Sequence, residues 1–288
     1  MHKNIDKKLV FGKMPLRPEE SNKATFGRIL NIAGSLNYIG AAYLSSIAAL
    51  KAGAGYLTLA CPDEIVNAIA SLAPEITYKR LKSKNGAISS DNDLGDLSKY
   101  NVLEIGCGIT NTEETRDFVF NLLTKRSSMH NVVLDADGIN ILASKKEVIS
   151  LKNTVITPHP KELSRLLGVD TDEIMANREK YARITSQTYE CITVLKGHNS
   201  IVTNGSKVFV NCSGSSALAK AGSGDVLTGI IAGLLAQKLS PFDSAIIGTY
   251  LHGLSGDIAS VDLTKYCVMA TDIIDYLPFA IKQIILEE

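Results

Sequence analysis

The sequence predicts an α/β fold, a three-layer α/β/α sandwich whose central sheet is mostly parallel and carries a hairpin late in the chain. Short apolar runs alternate with longer stretches of helical periodicity, which is typical of parallel strands covered by helices on both faces. After residue 190 three short strands follow one another, and Asn204-Gly205, a strong hairpin signal, joins the last two. No repeat or linker divides the chain, so we expect one domain over residues 1–288.

The individual elements follow from the same two periodicities. Strands are predicted over residues 28–34, 55–61, 101–108, 131–138, 153–160, 191–197, 200–205 and 206–212. Helices are predicted over residues 40–53, after Pro62 and Asp63, and over 112–126, 224–236, 241–261 and 270–286. In the first helix Ala41, Leu44 and Ala48 lie about one turn apart, and Gly53 suits its end. The helix over 224–236 is apolar on nearly every side, so we expect it to be buried, with Gly229 and Gly233 allowing close backbone approach.

Composition and charge exclude several classes of function. The chain has 30 Lys+Arg and 30 Asp+Glu and no long basic block, which argues against nucleic-acid binding. The N-terminal residues lack the apolar core of a signal peptide, and the most apolar run, over 226–236, is far shorter than the ~20 residues that span a bilayer. Five widely spaced cysteines without a C-x-x-C pair are interpreted as small core residues in a reducing compartment. We therefore expect a cytoplasmic protein without membrane or nucleic-acid partners.

Glycine-rich or polar turns end most of the predicted strands. The turns read IAGS, IGCG, LDADG, TPHP and VLKG. Ligands of such sheets bind outside the carboxyl ends of the strands. Glycine also makes tight turns between strands and helices, so one such turn says little. Five of them in one chain indicate a cleft along one edge of the sheet.

Residues 217–229, ALAKAGSGDVLTG, are the most informative segment. Gly222 and Gly224 free the backbone around Ser223, and the N-terminus of the helix that follows favours negative charge. These features predict an anion hole for a phosphoryl group, with Asp225 as the general base of a substrate hydroxyl. The alternative is that Asp225 only caps the helix. The chain contains neither a Walker A loop nor a dinucleotide G-x-G-x-x-G.

Four motifs together resemble the ADP/ATP-dependent NAD(P)H-hydrate dehydratases, a metabolite-repair family of ribokinase-like fold. In chain order they read GSLNYIGAAYLSSIAALKAGAGYLTLA, TPHPKELSRLLG, VLKGHNSIVTNG and AGSGDVLTGIIAGLLAQ. The resemblance covers about residues 26–237. It implies dehydration of the (S)-hydrate of NADH or NADPH, driven by ADP or ATP with Mg²⁺. Some relatives carry an added hydrate epimerase domain, for which this chain is too short, and many are homotetramers, so we expect a homo-oligomer.

The same resemblance implies a role for each site residue. Asp225 would be the base, and the amides of Gly222, Ser223 and Gly224 would hold the transferred phosphoryl group. The hydrate pocket would be lined by Ala41 or Ala42, Gly108, His159 and Asp225. The nucleotide would be held by Lys196, Gly197, His198, Asn199, Ser200 and Gly224.

The residues themselves leave alternatives open at several of these positions. His159 lies between two prolines, which favours an extended turn exposed in a cleft, and the alternative is an ordinary loop histidine. Lys196 at a strand end suits a phosphate contact, and the alternative is a solvated strand terminus. Four further residues are candidates for an indirect, water-mediated magnesium site, with ordinary turn chemistry as the alternative. They are Asp135, Asp137, Asn140 and Glu162.

Two positions depart from the pattern of the family, and two other functions compete with dehydration. Ser215 stands where many relatives have asparagine, and Cys107 stands between two glycines where proline is common. The first alternative is a ribokinase-like kinase of a vitamin-type alcohol, which would share Asp225 and the anion hole but release a stable phosphoester. The second is a nucleotide sensor without catalysis, against which the carboxylate of Asp225 argues.

Overall fold

A computed structural model describes residues 2–126 and 130–286 of the chain. The strands are β1 Lys3–Ile5, β2 Arg28–Ile32, β3 Tyr56–Pro62, β4 Thr77–Leu81, β5 Ser83–Lys84, β6 Ala87–Ile88, β7 Val102–Ile105, β8 Asn131–Leu134, β9 Thr154–Ile156, β10 Ile192–Leu195, β11 Ser200–Thr203 and β12 Val208–Asn211. The helices are α1 Lys7–Phe11, α2 Ile39–Lys51, α3 Asp63–Ala70, α4 Glu113–Lys125, α5 Asp137–Lys145, α6 Pro160–Leu167, α7 Thr171–Ala176, α8 Arg178–Tyr189, α9 Ser223–Ala236, α10 Pro241–Cys267 and α11 Ala270–Leu286.

Ten of the strands form one sheet in the order β1-β12-β11-β10-β9-β8-β7-β2-β3-β4. All neighbours are parallel except β11, which is antiparallel to both β10 and β12. The predicted parallel sheet and the late hairpin are thus confirmed. The edge strands β1 and β4 were not predicted, because β1 is only three residues long and β4 reads TYKRL, with little apolar character.

Alternate residues of the central strands pack into different layers. Ile29, Val102 and Val133 face the layer of α2, α9, α10 and α11. Their chain neighbours Leu30 and Leu103 face the opposite layer, which contains α4 and α5. Because both faces of the sheet are covered, its central strands are apolar throughout, and the three-layer prediction is confirmed.

Helix α9 is buried along almost its whole length, as its composition predicts. A Cβ atom on Gly229 would overlap the Ser45 carbonyl oxygen of α2, and one on Gly233 would overlap the Ala49 carbonyl oxygen. The predicted close approach at these two glycines is therefore confirmed. It brings the N-terminus of α9 against the carboxyl ends of the central strands.

Several predictions needed correction. Helix α10 runs to Cys267 and not to residue 261, with non-helical dihedral angles at Thr264 where φ is 66°. Cys61, Cys107 and Cys191 are buried as expected, but Cys212 and Cys267 are exposed, because they lie just after β12 and at the end of α10. Within residues 2–126 and 130–286, no helix combines the length and the hydropathy that a membrane span requires.

Candidate active site

A cavity of about 730 Å³ opens beyond the carboxyl ends of β9, β10 and β12. Its wall includes His159, residues 196–200, residues 213–216 and the first two residues of α9. Loops from four separate parts of the chain thus meet at one end of the sheet, which is where ligands of such sheets bind. The predicted cleft is therefore present in the fold.

The N-terminus of α9 has the features expected of an anion site. Gly222 precedes the helix with a φ of +88°, a conformation that side chains rarely allow. The Ser223 amide donates to the Lys220 carbonyl at 3.3 Å, but the amides of Gly224 and Asp225 have no protein acceptor within the described parts of the chain. Unpaired amides and the partial positive charge of the helix terminus both favour a bound anion.

Asp225 lies in the first turn of this helix and is not its cap, because Gly222 holds that position. Burial raises the pKa of Asp225 to about 6, and the nearby carboxylate of Asp135 acts in the same direction. A hydrogen bond from the Cys107 thiol and the charge of Lys196 oppose this rise. A carboxylate with a pKa near 6 is ionised at neutral pH and is still basic enough to accept a proton.

Gly108 and Ala41 meet next to this carboxylate. Gly108 has a φ of +68°, and a Cβ atom on it would lie 2.8 Å from the Cβ atom of Ala41. Its neighbour Cys107 is the residue whose thiol reaches Asp225. Ala42 is fully buried, and a Cβ atom on Gly34 would lie 2.8 Å from its side chain. Of the two candidate alanines, Ala41 is therefore the one beside Gly108.

Lys196 is held between two buried carboxylates and is not a solvated strand end. Its ammonium group lies 2.7 Å from Asp135 Oδ1 and 4.0 Å from Glu162 Oε2. Burial alone would lower the pKa of Lys196, but these carboxylates outweigh it and raise the pKa. Thr228 of α9 donates to the other oxygen of Asp135 at 2.7 Å. The network ties β8, β10, α6 and α9 together beneath the anion site.

His159 caps α6 in an extended conformation, with φ −83° and ψ 166°. Its Nδ1 atom accepts hydrogen bonds from the amides of Lys161 and Glu162 at 3.1 and 3.2 Å, so the hydrogen of the neutral ring is on Nε2. Burial and the charge of Lys196 lower the pKa of His159. The side chain is 43% exposed and lines the cavity. The Nε2–H group of the neutral ring lies 3.4 Å from Glu162 Oε1, at the border of the cavity.

The loop of residues 196–200 curls around the guanidinium of Arg178. Arg178 donates to the carbonyl oxygens of His198 and Leu195, the latter at 3.3 Å. Gly197 and Asn199 both have positive φ angles, 139° and 56°. These hydrogen bonds from Arg178 to the backbone hold the loop in one conformation at the cavity wall.

The candidate metal ligands are divided between two places. Asp135 and Glu162 share Lys196, as described above. Asp137 accepts a hydrogen bond from the Thr110 amide at 2.9 Å, and Asn140 accepts one from Arg165 at 2.9 Å. In the portion of the chain that the structure describes, no three His, Cys, Asp or Glu residues converge as a metal site. A metal ion here would need ligands from water and substrate as well.

Comparison with known proteins identifies the family. A profile of the NAD(P)H-hydrate dehydratases matches residues 29–279, a span that includes the cavity loops, α9 and α10. The chain belongs to the NAD(P)H-hydrate dehydratase family. The resemblance that the four motifs carry is thereby confirmed.

Relatives of this dehydratase-family chain fall into two sizes. It is 37% identical over 279 residues to the bifunctional NAD(P)H-hydrate repair enzyme of Moorella thermoacetica. The match covers 94% of this chain but only 52% of that protein. The chain thus spans about half the length of the curated relatives it matches first. A crystal structure of the ADP/ATP-dependent NAD(P)H-hydrate dehydratase of Bacillus subtilis, co-crystallised with ATP and Mg²⁺, is 30% identical with a TM-score of 0.88. This match covers 98% of our chain and 99% of that one.

The ribokinase-like fold is confirmed in the same way. A protein of the ribokinase-like superfamily from Enterococcus faecalis is 25% identical, with a TM-score of 0.85. The match covers 99% of this dehydratase-family chain and 97% of that protein.

The two departures from the family pattern have defined places. Ser215 accepts a weak hydrogen bond from the Ala217 amide at 3.5 Å and so caps the short 3-10 turn Ser216–Leu218. Cys107 is fully buried and faces Asp225. The first residue shapes the cavity wall, and the second influences the ionisation of the candidate base.

Two residues of the site were missed by sequence reasoning, His252 and Asp257 of α10. His252 lies against Ser223, and the Asp257 carboxylate accepts a hydrogen bond from the Gly214 amide at 2.7 Å. Both are polar residues within a largely buried helix, which is the signal that would have found them. The candidate site therefore rests on α10 as well as on α9.

Proposed function

We propose that this chain dehydrates the (S)-hydrate of NADH or NADPH to the reduced cofactor, with ADP or ATP as phosphoryl donor. The observation that supports this best is the carboxylate of Asp225 beside the free amide of Gly224. A site that only binds phosphate gains nothing from a carboxylate there, because the two negative charges repel. A general base explains its position. The full-length match to the Bacillus subtilis dehydratase, crystallised with ATP and Mg²⁺, supports the same reaction.

The chemistry begins with phosphorylation of the hydrate. Asp225 takes the proton of the C6 hydroxyl group, whose oxygen attacks the terminal phosphorus of the nucleotide. The bond from that phosphorus to the bridging oxygen breaks, and AMP leaves if the donor is ADP, or ADP if it is ATP. The free amide of Gly224 and the N-terminus of α9 would hold the charge of the phosphoryl group during transfer, whereas the Ser223 amide is already bonded to the Lys220 carbonyl. Loss of one such donor costs about 10²–10³-fold in rate.

Elimination then completes the reaction. Hydroxide is a poor leaving group, whereas the phosphate ester at C6 leaves readily as inorganic phosphate. The lone pair of the ring nitrogen forms a C=N bond as the C–O bond breaks, and loss of a proton from C5 restores the ring double bond. The net result is removal of one water from the hydrate and its uptake in the hydrolysed nucleotide.

Two neighbouring regions would take different parts of the substrates. Ala41 and Gly108 lie next to the residue that contacts Asp225, Cys107, and would bind the hydrated ring, with His159 at the border of the cavity. Ala42 is fully buried and packs next to Gly34. Residues 196–200 together with Gly224 would hold the nucleotide at the other side. Lys196 carries the positive charge of that side.

The carboxylates of Asp135 and Glu162 would reach Mg²⁺ only through bridging water. Both Asp135 oxygens already bond protein groups, Lys196 and Thr228, and Glu162 accepts a hydrogen bond from the His159 amide. Mg²⁺ is usually held by one or two carboxylates together with water and phosphate oxygens. Held there through water, the ion would neutralise charge on the phosphates of the donor. The residues of the chain orient the donor against Asp225.

The test is to supply NADH hydrate, Mg²⁺ and either ADP or ATP, and to record reduced-nicotinamide absorbance and inorganic phosphate in one reaction. We expect the two products to appear in a 1:1 ratio with at least one donor, and neither to appear without the hydrate. A stable phosphoester without recovered absorbance would instead identify a kinase. Nucleotide binding without any product would contradict an enzymatic role.

A further inference from the structure

The imidazole of His252 contacts the middle residue of the anion site twice. His252 lies on α10, is 8% exposed, and lines the same cavity as Ser223. Its Nε2 atom is 2.9 Å from the Ser223 carbonyl oxygen and 3.1 Å from the Ser223 hydroxyl oxygen. One nitrogen therefore fixes both the backbone and the side chain of this residue.

The carbonyl contact determines where the ring carries its hydrogen. A carbonyl oxygen only accepts hydrogen bonds, so Nε2 must donate. The opposite tautomer would place a nitrogen lone pair against an oxygen lone pair at 2.9 Å. Burial also lowers the pKa of His252 to about 4, so the ring is neutral at physiological pH. His252 is thus a neutral Nε2–H donor.

This tautomer has a consequence for the Ser223 hydroxyl. The protonated Nε2 has no lone pair, so the hydroxyl oxygen can only share its hydrogen as a second acceptor, and the hydroxyl's own hydrogen remains available. Among residues 2–126 and 130–286, His252 is the one hydrogen-bond partner of this hydroxyl, and Ser223 borders the cavity. Because its oxygen is held by His252 and its hydrogen is free, the Ser223 hydroxyl can donate a hydrogen bond to an anion in the cavity.

We propose that His252 is a positioning residue that holds the Ser223 hydroxyl as a hydrogen-bond donor to the transferred phosphoryl group. The inference rests on the proposed function in that it assumes phosphoryl transfer at this site. His252 acts through Ser223 and does not touch the reacting atoms. The two residues therefore behave as one unit, and their effects on the rate are not independent.

A double-mutant cycle on the full chain tests this coupling. We expect Ser223→Ala and His252→Phe each to lower kcat by about 10²-fold, which is the effect of losing one oxyanion donor. The double variant should be no slower than the worse single variant. His252→Gln keeps an N–H group and should regain at least tenfold over His252→Phe. Ser255→Ala serves as control and should keep its kcat within twofold. Among the described residues, this buried serine of α10 bonds only to the Leu251 carbonyl of its own helix, at 2.7 Å.

Two measurements separate the inference from the proposed function, because neither requires turnover of the hydrate. Calorimetry with inorganic phosphate and AMP should show that Ser223→Ala and His252→Phe weaken phosphate binding equally. Nitrogen NMR on the ¹⁵N-labelled wild-type chain should show the Nε2–H tautomer of His252, and this reading needs no folded variant. The inference is overturned by an Nδ1–H tautomer, by losses that multiply in the double variant, or by wild-type kcat in His252→Phe. An inactive wild-type chain would overturn the proposed function, while phosphate affinity would still report on His252.

Discussion

The Lys196 ammonium group and the Asp135 carboxylate form a 2.7 Å ion pair below the N-terminus of α9. The Asp135 side chain is 2% exposed and that of Lys196 is 19% exposed, so the pair is largely removed from water. Thr228 bonds the second oxygen of Asp135. The pair links the end of β8 to the loop over residues 196–200 at the cavity wall.

Removal of one partner of this pair should destabilise the fold. Lys196→Met leaves Asp135 buried without its cation, and breaking a buried pair in this way costs about 3–5 kcal/mol. Urea unfolding should therefore show a markedly lower midpoint with an unchanged slope. Lys196→Met combined with Asp135→Asn should recover part of the loss, because no charge is then left uncompensated. An unchanged midpoint in Lys196→Met would contradict the assignment.

The acid limb of the pH–rate profile should report on Asp225. A general base must be ionised, and the pKa of Asp225 is raised to about 6, so kcat/KM should be half-maximal near pH 6, flat above about pH 7, and fall about tenfold per pH unit well below pH 6. Cys107→Ala removes the hydrogen bond that lowers this pKa, so the limb should move to higher pH. Cys107→Ser keeps a donor and should leave the limb near its original position. Equal shifts in both variants would argue against the hydrogen bond.

Glu104 should make the stability depend on pH. Its side chain is fully buried, and this burial and the nearby carboxylates of Asp225 and Asp135 disfavour its ionisation more than a contact with Ser45 favours it. Burial raises the pKa of Glu104 well above its ordinary value, so the folded chain keeps it protonated, whereas the unfolded chain ionises it above its ordinary pKa of about 4.3. Ionisation thus stabilises the unfolded state as pH rises through that value, and the free energy of unfolding decreases.

Glu104→Gln removes this linkage. The free energy of unfolding of the variant minus that of the wild type should therefore grow between pH 4.5 and pH 7, which denaturant unfolding at several pH values measures. A difference that stays constant over this range would show that Glu104 is ionised in the folded chain.

The contact between α2 and α9 should be sensitive to a single methyl group. Gly229→Ala places a Cβ atom against the Ser45 carbonyl oxygen and should cost about 1–3 kcal/mol. Gly40→Ala is the matched control, because a Cβ atom on this glycine of α2 meets nothing within 4 Å and should stabilise by about 0.5 kcal/mol. Thermal unfolding distinguishes the two. Similar melting temperatures for both variants would contradict the packing of α9.

Local patterns sufficed to predict much of the fold. Asn204-Gly205 marked the hairpin, and the apolar surface of α9 marked its burial. Helix α8, which reads REKYARITSQTY, was missed because it buries a narrow stripe beneath many polar residues. Strand β4 was missed for a similar reason, as an edge strand with little apolar character. A helix or strand that buries only one narrow face has few apolar residues, so its periodicity is hard to recognise in a single sequence.

The site was predictable where its chemistry is local. Gly222, Gly224 and Asp225 lie within four consecutive residues, so their helix terminus could be recognised directly. The partner of Lys196 could not be, because Asp135 lies 61 residues away and meets it only through the strand order β8-β9-β10. His252 is likewise 29 residues from Ser223 and arrives on another helix. Such contacts form only when distant segments pack together, so the spacing of the residues in the sequence does not reveal them.

The central claim is that Asp225 is the base that activates the hydrate hydroxyl, and a single-turnover comparison with Asp225→Asn tests it most directly. Both proteins would be saturated with ADP or ATP and Mg²⁺, mixed with NADH hydrate, and followed by the return of reduced-nicotinamide absorbance. The account predicts unchanged nucleotide affinity and a rate at least about 10²-fold lower in the variant. A near-wild-type rate in Asp225→Asn would contradict it.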